Sequence, residues 1–445
     1  MTQQKVIIVG AGLAGCECAY QLAMRGIEVI LYEMKPKIKS PAHKNDFFAE
    51  LVCSNSLRSD NPQSSAVGLM HQELRLMKSL ILQQADNHRV PAGECLAVDR
   101  DEFSKSITNI IHQHPNITII NEEFCNLAEI AKNNIVVIAT GPLTSEKLSL
   151  EIKKIIDNNS LNFFDAIAPV VYKDSIDFNY AWYQSRYDKG ETQDYINCAM
   201  NEQEYLAFYR ELINAKYMEF EEWEKDVPYF EGCLPIEVMA KRGEKTLLFG
   251  CMKPVGLTPP NGEKPYAVVQ LRQDNKAGSL YNIVGFQTKL KYDEQLRIFK
   301  MIPALKNAEF AKLGSIHKNT FINSPKLLNY NLSLKTNPNI YFTGQITGCE
   351  GYVESTSIGL ICALFVWGKL YNKEMQIPKY TSLNAMHNHL IEDMEGKNYQ
   401  PMNINFGLFE PILFEGKKIS KKDKKIVLSN KALDNIKLFS QQYTF

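Results

Sequence analysis

Three stretches of this 445-residue chain predict an α/β fold, a parallel sheet interrupted by a smaller inserted α+β domain. The first is Val6-Ile-Ile-Val9, followed at once by Gly10, Gly12 and Gly15 in GxGxxG spacing. The second is a change of composition near Asp165, where short apolar strands give way to aromatic-rich, mixed sequence. The third is a later apolar run ending in glycine, Asn339-Ile-Tyr-Phe-Thr-Gly344-Gln345, with a loop and an apolar helix behind it.

A continuous run of β-branched residues suits a strand buried on both faces. In the turn after it, Gly10 allows the tight bend, Gly12 lets the backbone approach a pyrophosphate, and Gly15 lets the next helix pack closely. The helix start directs unpaired N–H groups at phosphate oxygens, so Gly10, Ala11, Gly12, Leu13, Ala14 and Gly15 are the candidate cradle. The next apolar run ends in Glu33, 18 residues past Gly15, close to the offset of an acid that holds a ribose hydroxyl. A glycine turn that binds nothing is the bland alternative. FAD is favoured over NAD because the motif opens at residue 10 and later segments read as further flavin contacts, at Gly141 and at Gly344-Gln345. The prediction is therefore a Rossmann-like FAD-binding domain.

Fifty basic against fifty acidic residues leave no net charge, which argues against nonspecific coating of nucleic acid but leaves room for a local basic patch. No cationic leader precedes the first strand, and no run reaches the roughly eighteen apolar residues of a membrane span. Ile358 to Trp367 reads as a buried helix instead. A cytoplasmic protein without a membrane partner is expected. None of the ten cysteines forms a CxxC pair, so neither a metal site nor disulfides are expected, and most thiols should be inert core filler.

In chain order, 34–43 reads as a Pro- and Lys-rich loop, and 46–59 opens with near-helical spacing before the polar cluster Cys53-Ser-Asn-Ser-Leu-Arg58. Gly68 to Ala85 reads as one amphipathic helix, Asp99 to His112 as another capped by Asp99 with Glu102 at the capping-box position. Ile117 to Ile120 and the run from Ile135 read as strands. Glu202 to Glu224 should be helical, and Lys245 to Gly250, Tyr266 to Arg272 and Tyr281 to Phe286 should be strands. The division is 1–175 and 316–445 for the FAD-binding domain and 176–315 for the inserted one.

Two thiols stand out. Cys233 lies in Phe230-Glu-Gly-Cys-Leu-Pro-Ile-Glu237, after a glycine and two residues before a proline, with Lys241 and Arg242 following; such a field favours thiolate. Cys53 sits in its polar cluster. On pattern alone, core filler is the weightier reading for both.

GAGLAG at 10–15, FAELVCSNSLR at 48–58, HRVPAG at 88–93, FEGCLPIEVMAKRG at 230–243, PYAVVQLRQDN at 265–275, NIVGFQTKLK at 282–291, HKNTFINSP at 317–325 and FTGQITGCEGYVES at 342–355 are all present in order. Together they resemble the TrmFO family, the folate- and FAD-dependent tRNA (uracil-5-)-methyltransferases, distantly similar to the MnmG/GidA flavoproteins. The resemblance implies that FAD and 5,10-methylenetetrahydrofolate supply a methyl group to C5 of a T-loop uridine in tRNA, with NADH or NADPH reducing the flavin. It implies no obligate protein partner. Cys233 matches the cysteine that adds to C6 of uracil, because a thiolate there turns the ring into an enolate whose C5 is nucleophilic. Cys53 matches the family's second active-site thiol. Lys44 stands where many relatives carry a second histidine after His43, and Lys289 where some carry histidine, which leaves the folate contact at Lys289 open. Candidate phosphate contacts are the lysine run at 417–425 and Arg58, Arg242 and Arg272, while the tyrosines from 172 to 195 read as packing. The same chemistry on ribosomal RNA, and a flavin oxidoreductase or non-catalytic flavoprotein scaffold, are the alternatives.

Overall fold

The computed structural model describes residues 5–40, 42–156, 160–188, 193–218, 234–392, 399–412 and 420–443. Cys233, the segment around it and the first lysines of the 417–425 run lie outside these.

Val6–Val9 is the buried centre of a six-stranded sheet. It pairs in parallel with Val29–Tyr32 on one side and Ile135–Ile138 on the other. Ile117–Ile120 extends the first edge and Asn337–Phe342 the second, both parallel, and a short antiparallel strand, Ser333–Leu334, closes the row. A parallel sheet needs cover on both faces, which is why its strands are continuous Ile and Val runs. The helix Leu13–Ala23 lies against Tyr352–Leu370, and small residues let the two backbones meet: a Cβ on Gly359 would sit 2.5 Å from the Ala14 carbonyl oxygen. Tyr352–Leu370 is the one helix among the described residues long and apolar enough to cross a membrane, and 83% of its apolar window is buried within the protein.

A second six-stranded sheet, Val170–Tyr172, Ala181–Tyr183, Tyr195–Met200, Ala267–Gln273, Leu280–Ile283 and Phe310–Lys312, is antiparallel throughout its pairings. Its core draws on residues from Val171 to Ala308, whereas the first core draws on Val6 to Ile156 and Ile322 to Phe439. Between the two runs a two-stranded ribbon, Ser160–Ile167 against Ser315–Ile322.

Several local expectations give way to tertiary structure. No helix forms at 46–59; the segment is irregular up to the strand Ser56–Ser59, with Ala49 and Arg58 at positive φ and the Ala49 amide held by the Ala11 carbonyl. The expected single helix at 68–85 is two, Ala66–Leu76 and Leu80–Asn87. Lys78 turns into the left-handed region, and Ser79 caps the second helix while its hydroxyl donates to the buried Glu17 carboxylate. Lys245 to Gly250 is helical over Thr246–Phe249, not a strand, and the helix begun at Glu202 stops at Ile213. Arg100–Gln113 forms with Asp99 as its cap, accepting from the amides of Asp101 and Glu102, but the expected capping box does not close, because the Asp99 amide donates to the His88 carbonyl.

Candidate active site

Each expected glycine can be tested by what a side chain there would meet. A Cβ on Gly15 would fall 1.8 Å from the Gly10 carbonyl oxygen, and one on Gly10, at φ +101, would lie 2.7 Å from the Ala139 oxygen. Those two positions close the strand-to-helix turn. A Cβ on Gly12 meets nothing within 4 Å: the turn is open at the point where a pyrophosphate would approach. The first intrahelical bond is Cys16 N–H to Gly12 O at 2.9 Å, so the amides of Leu13, Ala14 and Gly15 have no acceptor within the helix. Glu33 lines the adjoining cleft. Its two carboxylate oxygens accept from the amides of Ala11 (2.9 Å) and Lys35 (3.0 Å), and each keeps a lone pair for a ribose hydroxyl.

Gly141 bends at φ +64 with open space at its Cβ, beside Thr140, which lines the same cleft. Gly344 bends at φ +74 against the Ala14 side chain, whose Cβ lies 2.6 Å from where a side chain on Gly344 would begin. The late glycine turn therefore abuts the early one. Gln345 donates its side-chain amide to both oxygens of Glu350, at 2.7 and 2.9 Å, so this side chain braces the loop. Thr343 Oγ1 and Glu354 Oε2 are buried without a hydrogen-bond partner among the described residues. Buried polar atoms are normally satisfied, and these two flank the turn where the rest of a flavin nucleotide would lie. The residues present thus fit FAD.

The turn bearing Cys53 meets this cradle at the start of the helix Tyr352–Leu370. Tyr352 Oη accepts the amides of Cys53 (2.8 Å) and Ser54 (3.2 Å). Burial, then the neighbouring sulfur, pushes this phenol well above its ordinary pKa, so the hydroxyl stays protonated. Arg100 donates to Leu51 O at 3.1 Å and to Asp274 at 2.7 Å. Burial opposes its charge, but Asp274, with Tyr352 and Cys53 beside it, outweighs that and holds it protonated. Lys312 Nζ donates to Val52 O at 2.8 Å; burial, then repulsion from Arg100 and Lys44, brings its pKa down to about 8. Arg272 reaches Ser54 Oγ and Asn55 Oδ1. Two helices and two strands of the antiparallel sheet hold one short turn, leaving the Cys53 side chain partly exposed.

Cys16, Cys18, Cys198, Cys349 and Cys362 are buried, as core filler should be. Burial raises the thiols of Cys16, Cys198 and Cys349 out of the reactive range. Arg272 is only 8% exposed, so its guanidinium serves the protein interior, whereas Arg58 pairs with the buried Glu354 and keeps its own side chain 38% exposed. Sequence reasoning does not single out Tyr352, Arg100 or Lys312 as site residues. Tyr352 lies inside one of the eight ordered motifs, but nothing local marks the other two.

The family model described as "Glucose inhibited division protein A" matches residues 5–374. A protein of Paramagnetospirillum magneticum named methylenetetrahydrofolate–tRNA-(uracil-5-)-methyltransferase TrmFO is 57% identical over 407 residues, 91% of each chain. One of Zymomonas mobilis with the same name is 54% identical over 96% of this chain and 95% of its own. Among solved structures, GidA of Aquifex aeolicus superimposes with a TM-score of 0.71 at 14% identity, covering 99% of this chain and 73% of that one; it speaks for the fold. Glycine cradle, paired turns and whole-length identity agree: the chain belongs to the glucose inhibited division protein A family and, within it, to the TrmFO proteins.

Proposed function

We propose that this protein is a methylenetetrahydrofolate- and FAD-dependent tRNA (uracil-5-)-methyltransferase, the activity its relatives are named for. One observation carries the site reading: a turn bearing a partly exposed thiol, Cys53, is fastened by Tyr352 to the helix start that adjoins both glycine turns. When bound, FAD supplies the electrons that bring a methylene carbon to the methyl level. The overall balance is uridine, methylenetetrahydrofolate, NAD(P)H and a proton giving 5-methyluridine, tetrahydrofolate and NAD(P)⁺.

Within this reading Cys233 adds through sulfur to C6 of the uracil, and the displaced π electrons run to the C4 oxygen as an enolate. C5 then bonds to the one-carbon unit, and loss of the C5 proton to a base breaks that carbon's bond to its carrier, leaving an exocyclic methylene on the ring. Hydride, which FAD when bound and reduced would supply, completes the methyl group, and re-forming the C5–C6 double bond expels the sulfur. Cys53, set beside Lys312 and Arg100, takes that proton or a partner thiol's role. Gly10, Ala11, Gly12, Leu13, Ala14 and Gly15 hold the pyrophosphate, Glu33 the ribose, and Gly141, Gly344 and the backbone of Gln345 the flavin end. NADH or NADPH as reductant, a T-loop uridine as target, a cytoplasmic setting and a domain boundary at 175 and 315 belong to the same proposal.

The test is methylation of unmodified tRNA and of ribosomal RNA fragments with NAD(P)H and methylenetetrahydrofolate. Product is expected on tRNA, lost in Cys233→Ala and reduced by orders of magnitude in Cys53→Ala, both variants still yellow. Methylation of rRNA alone, or unchanged turnover in Cys233→Ala, would overturn the reading.

A further inference from the structure

Leu234 follows Cys233 directly and opens a segment that runs to Lys253 through two short helices, Ile236–Lys241 and Thr246–Phe249. Its inner side is well anchored. Ile236, Ala240, Leu247 and Met252 are fully buried in the second core, and the buried Glu237 carboxylate accepts the Lys289 amide at 2.7 Å and the Thr288 hydroxyl at 3.0 Å. The helix that buries Leu247 turns Phe249 outward, about 200° further round. At 82% exposure, Phe249 is the most exposed large apolar side chain among the described residues.

Over 236–253 the surface carries Lys241, Arg242, Lys245 and Lys253 against a single carboxylate, Glu244. Lys241 also holds its ammonium 4.4 Å above the Tyr217 ring. This concentration of positive charge stands in a chain of zero net charge. A protein partner would favour an apolar centre depleted of charge. An exposed ring and several exposed cations on one short segment suit a nucleic acid instead, with phosphates meeting the cations and a base face meeting the ring.

We infer that the 236–253 segment is an RNA-contact surface in which Phe249 stacks on an unpaired base beside the target uridine, while Lys241, Lys245 and Lys253 take the flanking phosphates. The inference rests on the tRNA reading above and extends it from the reacting thiol to the nucleotides around it. A rigid, well-anchored platform next in sequence to Cys233 fixes the register in which the uridine meets the sulfur.

Binding of an unmodified tRNA transcript to the full-length, FAD-loaded protein, followed by fluorescence anisotropy across a salt series, tests it. Phe249→Ala should raise Kd about tenfold, equivalent to about 1.4 kcal/mol, within the range expected for losing one stacked base. Phe249→Trp should stay within about twofold of the unaltered protein. The Lys245→Glu/Lys253→Glu double variant should flatten the slope of log K against log salt by roughly one to two. Flavin absorbance and the thermal midpoint should not move, because none of these side chains is in the core. Unaltered protein that methylates tRNA while all three variants bind it normally would overturn this inference alone. A change of oligomeric state in Phe249→Ala with unchanged tRNA affinity would also overturn it, in favour of a protein interface. Failure of the unaltered protein to methylate tRNA would overturn the substrate reading and this inference with it.

Discussion

The cofactor cradle and the Cys53 turn lie side by side, yet they are built by opposite means. The cradle is made of backbone: two glycine turns, at Gly10–Gly15 and Gly344, brought into contact through Ala14. The Cys53 turn is made by side chains of Tyr352, Arg100, Lys312 and Arg272, which hold its carbonyls, amides and polar groups from outside. A backbone site fails by steric exclusion. A side-chain site loosens one contact at a time and responds to pH.

The largest effects should fall on the cradle and separate its two kinds of glycine. Gly15→Val places carbon where the Gly10 oxygen lies, so loss of flavin should come with destabilisation of about 3 kcal/mol or more, visible in the melting temperature. Gly12→Ala, with open space at that Cβ, should fold normally and still lose most of its FAD. Equal melting temperatures for the two would erase the distinction between the closing and the open positions.

Tyr352→Phe comes next. It leaves the Cys53 and Ser54 amides without their acceptor, costing about 1–3 kcal/mol, and a turn displaced by an ångström can cost about a hundredfold in turnover. Steady-state methylation should therefore fall in kcat with bound flavin unchanged; normal kcat would mean the turn is held without the phenol.

The smallest effect is the pH dependence at Lys312. Its pKa in the folded chain is lowered to about 8 from 10.5, so at lower pH the fold carries the cost of a charge that burial disfavours. Between about 8 and 10.5 the unfolded chain holds more protons than the folded one, so this cost is relieved as pH rises. Relative to Lys312→Met, the unaltered protein should gain about 1–2 kcal/mol across that window, the full shift being reduced by solvent screening of a part-exposed ammonium, as read by urea unfolding. A constant difference would show that Lys312 is not so buried in solution.

The same contrast explains what the sequence could disclose. The cradle is local: strand, glycines and acid follow one another within residues 6 to 33, and each residue type states its own steric reason. The holders of Cys53 come from 49, 260 and 299 residues away, and an arginine or lysine at such a remove carries no signature of where it will point. The near-helical spacing of Phe47, Phe48, Leu51 and Val52 yields no helix for the same reason, since contacts with Ala11, Tyr352 and Lys312 dictate the backbone there. The break at Lys78 was concealed because both helices share one apolar stripe, and only Ser79 and the distant Glu17 betray the cap. Cys53 itself became legible through family resemblance, since its own neighbourhood reads as filler.

The ribbon of Ser160–Ile167 against Ser315–Ile322 runs in unbroken antiparallel register from Ser160↔Ile322 to Ile167↔Ser315. Topologically, everything from 168 to 314 is one oversized hairpin tip on a nucleotide-binding scaffold. Ends that close together let the lobe be exchanged or excised without rethreading the parallel sheet, and a two-residue turn grafted across Ile167 and Ser315 should leave that sheet's strand order unchanged.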